Sequence, residues 1–438
     1  MSSREDDRLS SLPIDVRIII LSLLPLKLAM STSTLSRSWR YLWTHITALR
    51  FTSPYYVHNK FYLNLFHTLG QMSWQKIYTL ELIIFPRTAR RTDLLNNNII
   101  ELGYCLLCIG QSIKEFKVKF EIYEYKTEVP PCIFKLQSIE VLELGGFRIG
   151  NLDINYKPPK LRKLVIDIHG FDLDRLGILV KSCPMLEILR VNVDVRENLA
   201  YPIEIKSRNL KLVCINVIGA RQNFIEGKKK VVFDAPKLEY LEFNSPIMLK
   251  FCFLKTPSGL LRAKLSFGDS ELYTGINPKQ GLLGLLNPIF RVKTLRLSGD
   301  ILIGLIKIDQ NKVQMFEKLT HVEMKLSGNS YLSWIGVRKF LQRCPNLQSL
   351  VLRRRCDSYL WVIYLLLCLS NTKFGDIYGR DNGFSECNVK IICNFVNVVK
   401  DDKMMIEITL HIYHDDQFIK CVNDFVLQNQ LWMLNDEL

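Results

Sequence analysis

Eleven times between Ile77 and Leu352 the chain places an apolar residue, a second three positions later and a third two after that. The copies begin at Ile77, Ile113, Ile139, Leu161, Leu186, Leu210, Leu238, Leu260, Val292, Leu319 and Leu347, about 27 residues apart on average. The closing alternation predicts a short strand with one buried face. Between strands the spacing predicts helices over 174–182 and from about Ser333, each ended by a Cys-Pro pair, Cys183-Pro184 and Cys344-Pro345, two residues before the next strand. A unit of one strand and its return leaves an apolar face uncovered, so neighbours must stack. The pattern therefore predicts an α/β chain whose parallel strands line the concave side of an irregular solenoid, with helices and loops outside. A doubly wound α/β domain also alternates strands and helices, but the near-constant period favours the stack.

Before the repeats the pattern is different. Ile14 to Leu24 is apolar except at Asp15, Arg17 and Ser22, between Pro13 and Pro25. This predicts a helix with more apolar surface than one packed face requires. A further short helix is expected to carry Leu35, Trp39, Leu42 and Trp43 as one stripe. A module of about forty residues cannot bury all of this alone, so part of it needs a partner. Residues 53–74 read as a connecting helix without a flexible linker. Beyond Asn371 the reading is a strand, a helix over 388–398, a strand over 404–412 and a final helix.

The residues from Asp7 to Phe51 resemble an F-box of the plant type. The resemblance is carried by Leu12-Pro13, Val16, Ile20-Leu21-Ser22, Leu24-Pro25, Leu35-Ser36-Arg37 and Trp39-Arg40-Tyr41-Leu42-Trp43. The Pro-x-Leu strand starts are similar to those of plant F-box proteins with leucine-rich repeats. One departure is Leu28, where the family would carry an acid. Another is the lack of an asparagine ladder after the strands, as at Asp194 and Arg355. The resemblance implies an F-box at 7–52, about eleven leucine-rich repeats over 75–370, and at 371–438 either an FBD-like region or two capping repeats. It also implies docking onto a Skp-type adaptor and through it a cullin, as the substrate-recognition subunit of an SCF-type ubiquitin ligase, with an unknown protein substrate on the concave face. Leu12, Pro13, Val16, Ile20, Leu24, Trp39, Leu42 and Trp43 are the expected adaptor-binding residues. Trp39 is expected to be partly core, and sequence does not divide the two tryptophans between core and interface. Alternative readings are a scaffold, or a sensor of a small anionic ligand, without target turnover.

Composition narrows the rest. At 48% hydrophobic and 23% charged the chain is globular. Lys and Arg number 58 against 43 Asp and Glu, a net charge of +15. The basic runs Lys228-Lys229-Lys230 and Arg353-Arg354-Arg355 and the group at Arg87, Arg90 and Arg91 are dispersed. No nucleic-acid-binding motif accompanies them, so a solvated surface is the better reading. The excess suggests an acidic patch on the protein partner. Twelve scattered cysteines and the charged start MSSREDDRLS give the expectation of packed thiols in the cytoplasm or nucleus. The apolar run 359–369 is too short to span a bilayer. Cys105-x-x-Cys108 lacks a second pair and His411 with His414 fits no known site, so no metal is expected. No phosphate loop, nucleophile elbow or other catalytic constellation is present, which predicts a non-enzymatic protein without cofactor.

Overall fold

The computed structural model describes residues 8–52, 67–72, 77–84, 106, 112–120, 131–146, 158–169, 173–194, 203–218, 230–246, 250–267, 278–299, 301–306, 308–326, 336–337 and 339–355, and the backbone of 396–400 and 403–411. Two compact units divide the chain, one of residues 1–199 with 203–219 and one of 200–202 with 220–438.

The first unit opens with helices α1 (Ile14–Leu23) and α2 (Leu26–Ser31) and 3-10 turns at Thr32–Thr34 and Leu42–His45. No α-helix covers Leu35 to Trp43, contrary to the stripe reading. The cause is a run of four hydroxyl residues. Ser31, Thr32, Ser33 and Thr34 donate back to the carbonyls of Leu28, Ala29, Met30 and Ser31, which satisfies the end of α2 and stops it. The parallel strands then follow: β1 (Ala48–Thr52), β2 (Thr79–Ile84), β3 (Glu115–Phe120), β4 (Val141–Gly145), β5 (Lys163–His169), β6 (Ile188–Asp194) and β8 (Leu212–Ile218). Helix α3 (Leu173–Ser182) and strand β7 (Ile203–Lys206) lie behind them.

The second unit holds parallel strands β10 (Tyr240–Ser245), β12 (Arg262–Phe267), β13 (Thr294–Gly299), β14 (His321–Leu326) and β15 (Ser349–Arg355). Strands β9 (Lys230–Asp234) and β11 (Lys250–Phe253) pair in parallel beside helix α4 (Pro278–Leu286), and α5 (Ile301–Ile306) follows β13. Strands β16 (Val396–Lys400) and β17 (Lys403–His411) close this sheet, β17 pairing antiparallel with both β15 and β16. The helix expected over 388–398 is therefore replaced by a strand at its end, where Val396, Val398 and Val399 favour extended backbone. The strand expected over 404–412 is β17; the first strand and final helix read beyond Asn371, the run 359–369 and most of the connecting helix lie outside the described residues.

The repeat pattern is the core. All eleven first and second positions are buried, from Ile77 and Leu80 at 0% exposure to Leu347 at 5%. So are the third positions, apart from Leu352, whose side chain lies outside the described set. Register keeps them in two rows. Leu80, Phe116, Leu142, Leu164, Leu189 and Val213 face one another in sequence, as do Leu241, Ala263, Leu295, Val322 and Leu350. Each unit is thus a one-strand-per-repeat stack, the expected solenoid architecture. The sequence reading missed one copy: Ile46, Leu49 and Phe51 repeat the spacing, and β1 pairs with β2 so that Leu49 faces Leu80 and Phe51 faces Leu82.

The return helices approach their neighbours through glycine. A Cβ on Gly177 of α3 would lie 2.6 Å from the Glu204 carbonyl of β7, and one on Gly284 of α4 2.5 Å from that of Phe251. Gly177→Ala adds up to about 1 kcal/mol of helix propensity. It also forces α3 off β7, an overpacking cost of about 1–3 kcal/mol. The second term wins, so Gly177→Ala is expected to lower the urea midpoint, measured by circular dichroism.

Candidate functional site

The N-terminal module builds a small core of its own. Leu21, Leu26, Ala29, Trp39, Leu42, Trp43 and Ile46 are each at most 8% exposed. The Trp39 indole N–H donates to Ser10 Oγ at 2.8 Å, and the Arg17 guanidinium lies 5.5 Å above the ring. Trp39, Leu42 and Trp43 lie in this core, whereas the sequence reading placed them among the adaptor-binding residues. Without a helix over 35–43 their side chains turn inward together. Of the other expected residues, Pro13 and Val16 are exposed, and Leu12, Ile20 and Leu24 are half-buried.

What the module leaves in water is apolar. Ile14, Ile19 and Leu23 of α1 are 56%, 61% and 73% exposed, and Val16 39%. Val16, Ile19 and Leu23 follow the i, i+3, i+7 spacing of one helix face. Leu28, Met30, Leu35 and Tyr41 are also exposed. Ile14, Ile19 and Leu23 were not among the expected contacts, although the excess apolar residues on α1 carried the signal.

Ser22 ties this module to the sheet. Its hydroxyl donates to the Ile18 carbonyl at 2.8 Å and accepts from the Thr47 N–H at 3.1 Å. Arg50 Nη1 donates to the Ser22 carbonyl at 2.8 Å, and Arg50 Nε lies 3.4 Å from Glu81 on β2. The Thr47 carbonyl in turn accepts from the Tyr78 and Thr79 N–H groups at 2.8 and 3.1 Å. Next to this joint, a cleft of about 690 Å³ is lined by Leu23, Pro25, Leu26, Lys27, Met30 and β1–β2 residues including Arg50 and Glu81. Its Arg50 is already paired with Glu81.

The open faces of the sheets are polar, nearly balanced on the first unit and richer in cations on the second. On the first unit the strand residues Arg50, Lys117, Lys119, Lys163 and Arg190 stand against Glu81, Glu115, Glu143 and Asp167. Lys163 is 2.7 Å from Glu143 and Lys117 3.6 Å from Glu115. On the second unit Arg262, Lys264, Arg296 and Lys325 stand against Glu242 and Glu323, with Lys264 2.7 Å from Glu242 and Arg296 2.8 Å from Glu323. The described face of the first unit therefore lends no support to a broadly acidic partner. The basic runs at 87–91, 228–229 and 353–355 have side chains outside the described residues, as do Cys105, Cys108, His411 and His414. Among the described residues no group of three or more metal-ligating side chains could hold an ion, and no helix is long and apolar enough to cross a membrane. Burial pushes the Cys183 thiol from 9.0 up to about 12, and that of Cys344 higher still. Both are neutral thiols packed in corresponding Cys-Pro positions.

The sheet geometry and the helical module define an F-box joined to leucine-rich repeats. The F-box domain family model matches residues 9–48. A second model, described as FBD-associated F-box protein At5g56370, LRR repeats, matches residues 107–254. Among similar proteins of Arabidopsis thaliana, F-box/LRR-repeat protein At3g59200 is 27% identical over 388 residues, 81% of this chain and 70% of that protein. FBD-associated F-box protein At4g10400 is 25% identical over 81% of this chain and 79% of its own length. F-box/FBD/LRR-repeat protein At1g78750 is 24% identical over 80% and 77%. The chain thus matches an F-box model and an FBD-associated repeat model, and its homologues are F-box/LRR-repeat and F-box/FBD/LRR-repeat proteins.

Two substitutions probe the module. Ser22→Ala leaves the Thr47 N–H unpaired beneath the helices, and a buried orphan of that kind costs about 1–3 kcal/mol. A lower thermal midpoint is expected, restored in part by Ser22→Thr. Arg17 is the opposite case. It is 7% exposed, and its Nε and Nη1 have no hydrogen-bond partner. Its stacking on Trp39 returns about 0.5–1 kcal/mol, less than the orphaned donors cost at about 1–3 kcal/mol. Arg17→Leu is expected to raise the thermal midpoint in scanning calorimetry by about 1 °C for each kcal/mol regained, as the unfolding entropy of a chain of this size implies.

Proposed function

We propose that the protein is the substrate-recognition subunit of an SCF-type ubiquitin ligase. On this reading the F-box docks a Skp-type adaptor and through it a cullin, and the repeats hold a target protein, in the cytoplasm or nucleus. The observation that carries the reading is the exposed Val16–Ile19–Leu23 stripe on a module whose own core is already closed. An apolar surface of this kind on a soluble domain marks a protein interface. Leu12, Pro13, Ile20 and Leu24 flank the stripe on the same helix and its ends, so they contribute at its rim. The chain supplies no catalytic group in this scheme. Its contribution is proximity, which turns transfer to a target lysine into an effectively intramolecular step.

Ile19→Glu with Leu23→Glu places two charges on the stripe without touching the core. The double variant is expected to keep its circular dichroism spectrum and thermal midpoint. Its affinity for a purified Skp-type adaptor should fall at least about 100-fold, in line with the loss of two central apolar anchors at an interface. Unchanged adaptor affinity would overturn the docking surface. In cells, the variant should let at least one wild-type-bound protein accumulate under proteasome-dependent turnover. Binding without accumulation would make the protein a scaffold.

A further inference from the structure

The middle row of the first unit's open face runs Arg50, Glu81, Lys117, Glu143, Val165, Arg190, Cys214 across β1 to β6 and β8. Its first four members are charged with alternating sign, and each lies in an ion pair with a residue of the same face. Arg190 breaks the rule. It is exposed, its registered neighbours are Val165 and Cys214, and among the described residues it enters no ion pair or hydrogen bond. The acid diagonal to it, Asp167, faces Asn192 in the register and makes no ion pair with it. On one side of Arg190 the same face is apolar, with Val165, Ile188 and Leu212 half-buried; on the other lie Asp167, Asn192 and Asn216.

A guanidinium left without a partner on a sheet that pairs its other middle-row charges is a disposition toward an outside anion. Its planar fork fits a carboxylate through two parallel hydrogen bonds. The apolar side formed by Val165, Ile188 and Leu212 lowers the local dielectric once covered and favours a carboxylate carried beside aliphatic groups over a free small ion. We infer that this patch is a target-docking subsite, and that its occupant is a protein segment presenting one Asp or Glu side chain between aliphatic residues. The inference rests on the reading of the repeats as a target-binding surface. It gives that surface a location and a chemistry. It also replaces a broadly acidic partner, expected from net charge, with a single carboxylate in an apolar setting.

The test uses the full chain in complex with its adaptor, panned against a displayed library of random twelve-residue peptides. Enriched peptides should carry an acid flanked by Leu, Ile or Val. Arg190→Gln should weaken the best of them by at least about tenfold, the loss of one desolvated charge pair. Arg296→Gln, a paired cation on the second unit, should not. Val165→Glu offers a carboxylate directly across the rung and should block binding as Arg190→Gln does, whereas Val165→Gln should retain more of it. Thermal midpoints within a degree of wild type exclude misfolding. Failure to enrich any peptide, enrichment of peptides without an acid, or binding unchanged in Arg190→Gln would each overturn the subsite. Adaptor affinity measured on the same variants should stay at the wild-type value. Its loss in wild type would instead overturn the ligase reading, so the two failures are distinct.

Discussion

Everything in this fold depends on strand register. Two buried positions per strand, two residues apart, face their counterparts in every rung. A slip of one residue would turn both out and bring two polar residues in. Burying a Leu or Val side chain is worth about 1.5–3 kcal/mol, so a slipped strand forfeits several kcal/mol and gains unsatisfied charges. The apolar residue two positions before the strand adds a check, because it plugs the gap where the chain turns into the sheet. Leu161, Leu186 and Leu210, which are at most 2% exposed, play this part in successive rungs. Exchange among Leu, Ile, Val, Phe and Met along these rows leaves the frame intact, and Ala263 shows that even a small residue is tolerated at one rung.

The charges on the opposite face act differently. Pairs such as Lys163 with Glu143 and Lys264 with Glu242 are a third to a half exposed on the lysine side. Exposed pairs of this kind contribute about 0–1 kcal/mol each. Their larger effect is on specificity, since like charges directly across a rung repel. On the second unit Lys264 faces Arg296 across a rung, but the first unit's face, where cation meets anion from β1 to β4, is quiet toward solution. It presents little unpaired charge to a passing acid or nucleic acid. Against that background Arg190 gains its meaning from its neighbours, Val165 and Cys214, and not from its own charge.

The repeat frame was legible in the chain because spacing, burial and pairing all follow from one periodic pattern. The F-box boundary was not. Phe51 was read as the end of one module and the start of a connector, which hid Ile46-Leu49-Phe51 as the first rung. A single copy of a pattern 31 residues upstream of the next is hard to see beside the dense apolar run of α1. The misread helix over 35–43 has a similar origin. Its apolar spacing was helical, but the hydroxyl run at 31–34 competes for the preceding carbonyls, and local hydrogen bonds decided the outcome. With the helix gone, both tryptophans became core, and the surface passed to Ile14, Ile19 and Leu23. Periodicity reports what must be buried somewhere; it does not report whether the covering atoms belong to the same chain.

The joint at Ser22 links these levels. One hydroxyl bridges the α1 backbone and Thr47, whose carbonyl accepts from two N–H groups at the start of β2. Arg50 bridges the same helix end and Glu81 on the open face. The F-box is therefore continued into the first rung of the sheet by backbone pairing and by side-chain hydrogen bonds. A tether between adaptor-binding and target-binding modules would let a target sample many distances from the ubiquitin carrier. A fused rung fixes one end of that distance within the first unit, where Arg190 also lies. Effective concentration gained by proximity falls as a connection lengthens and loosens. On the proposed function, a strand in place of a linker is thus the feature of the fold that best serves transfer, and its integrity rests on a serine that the apolar pattern gave no reason to notice.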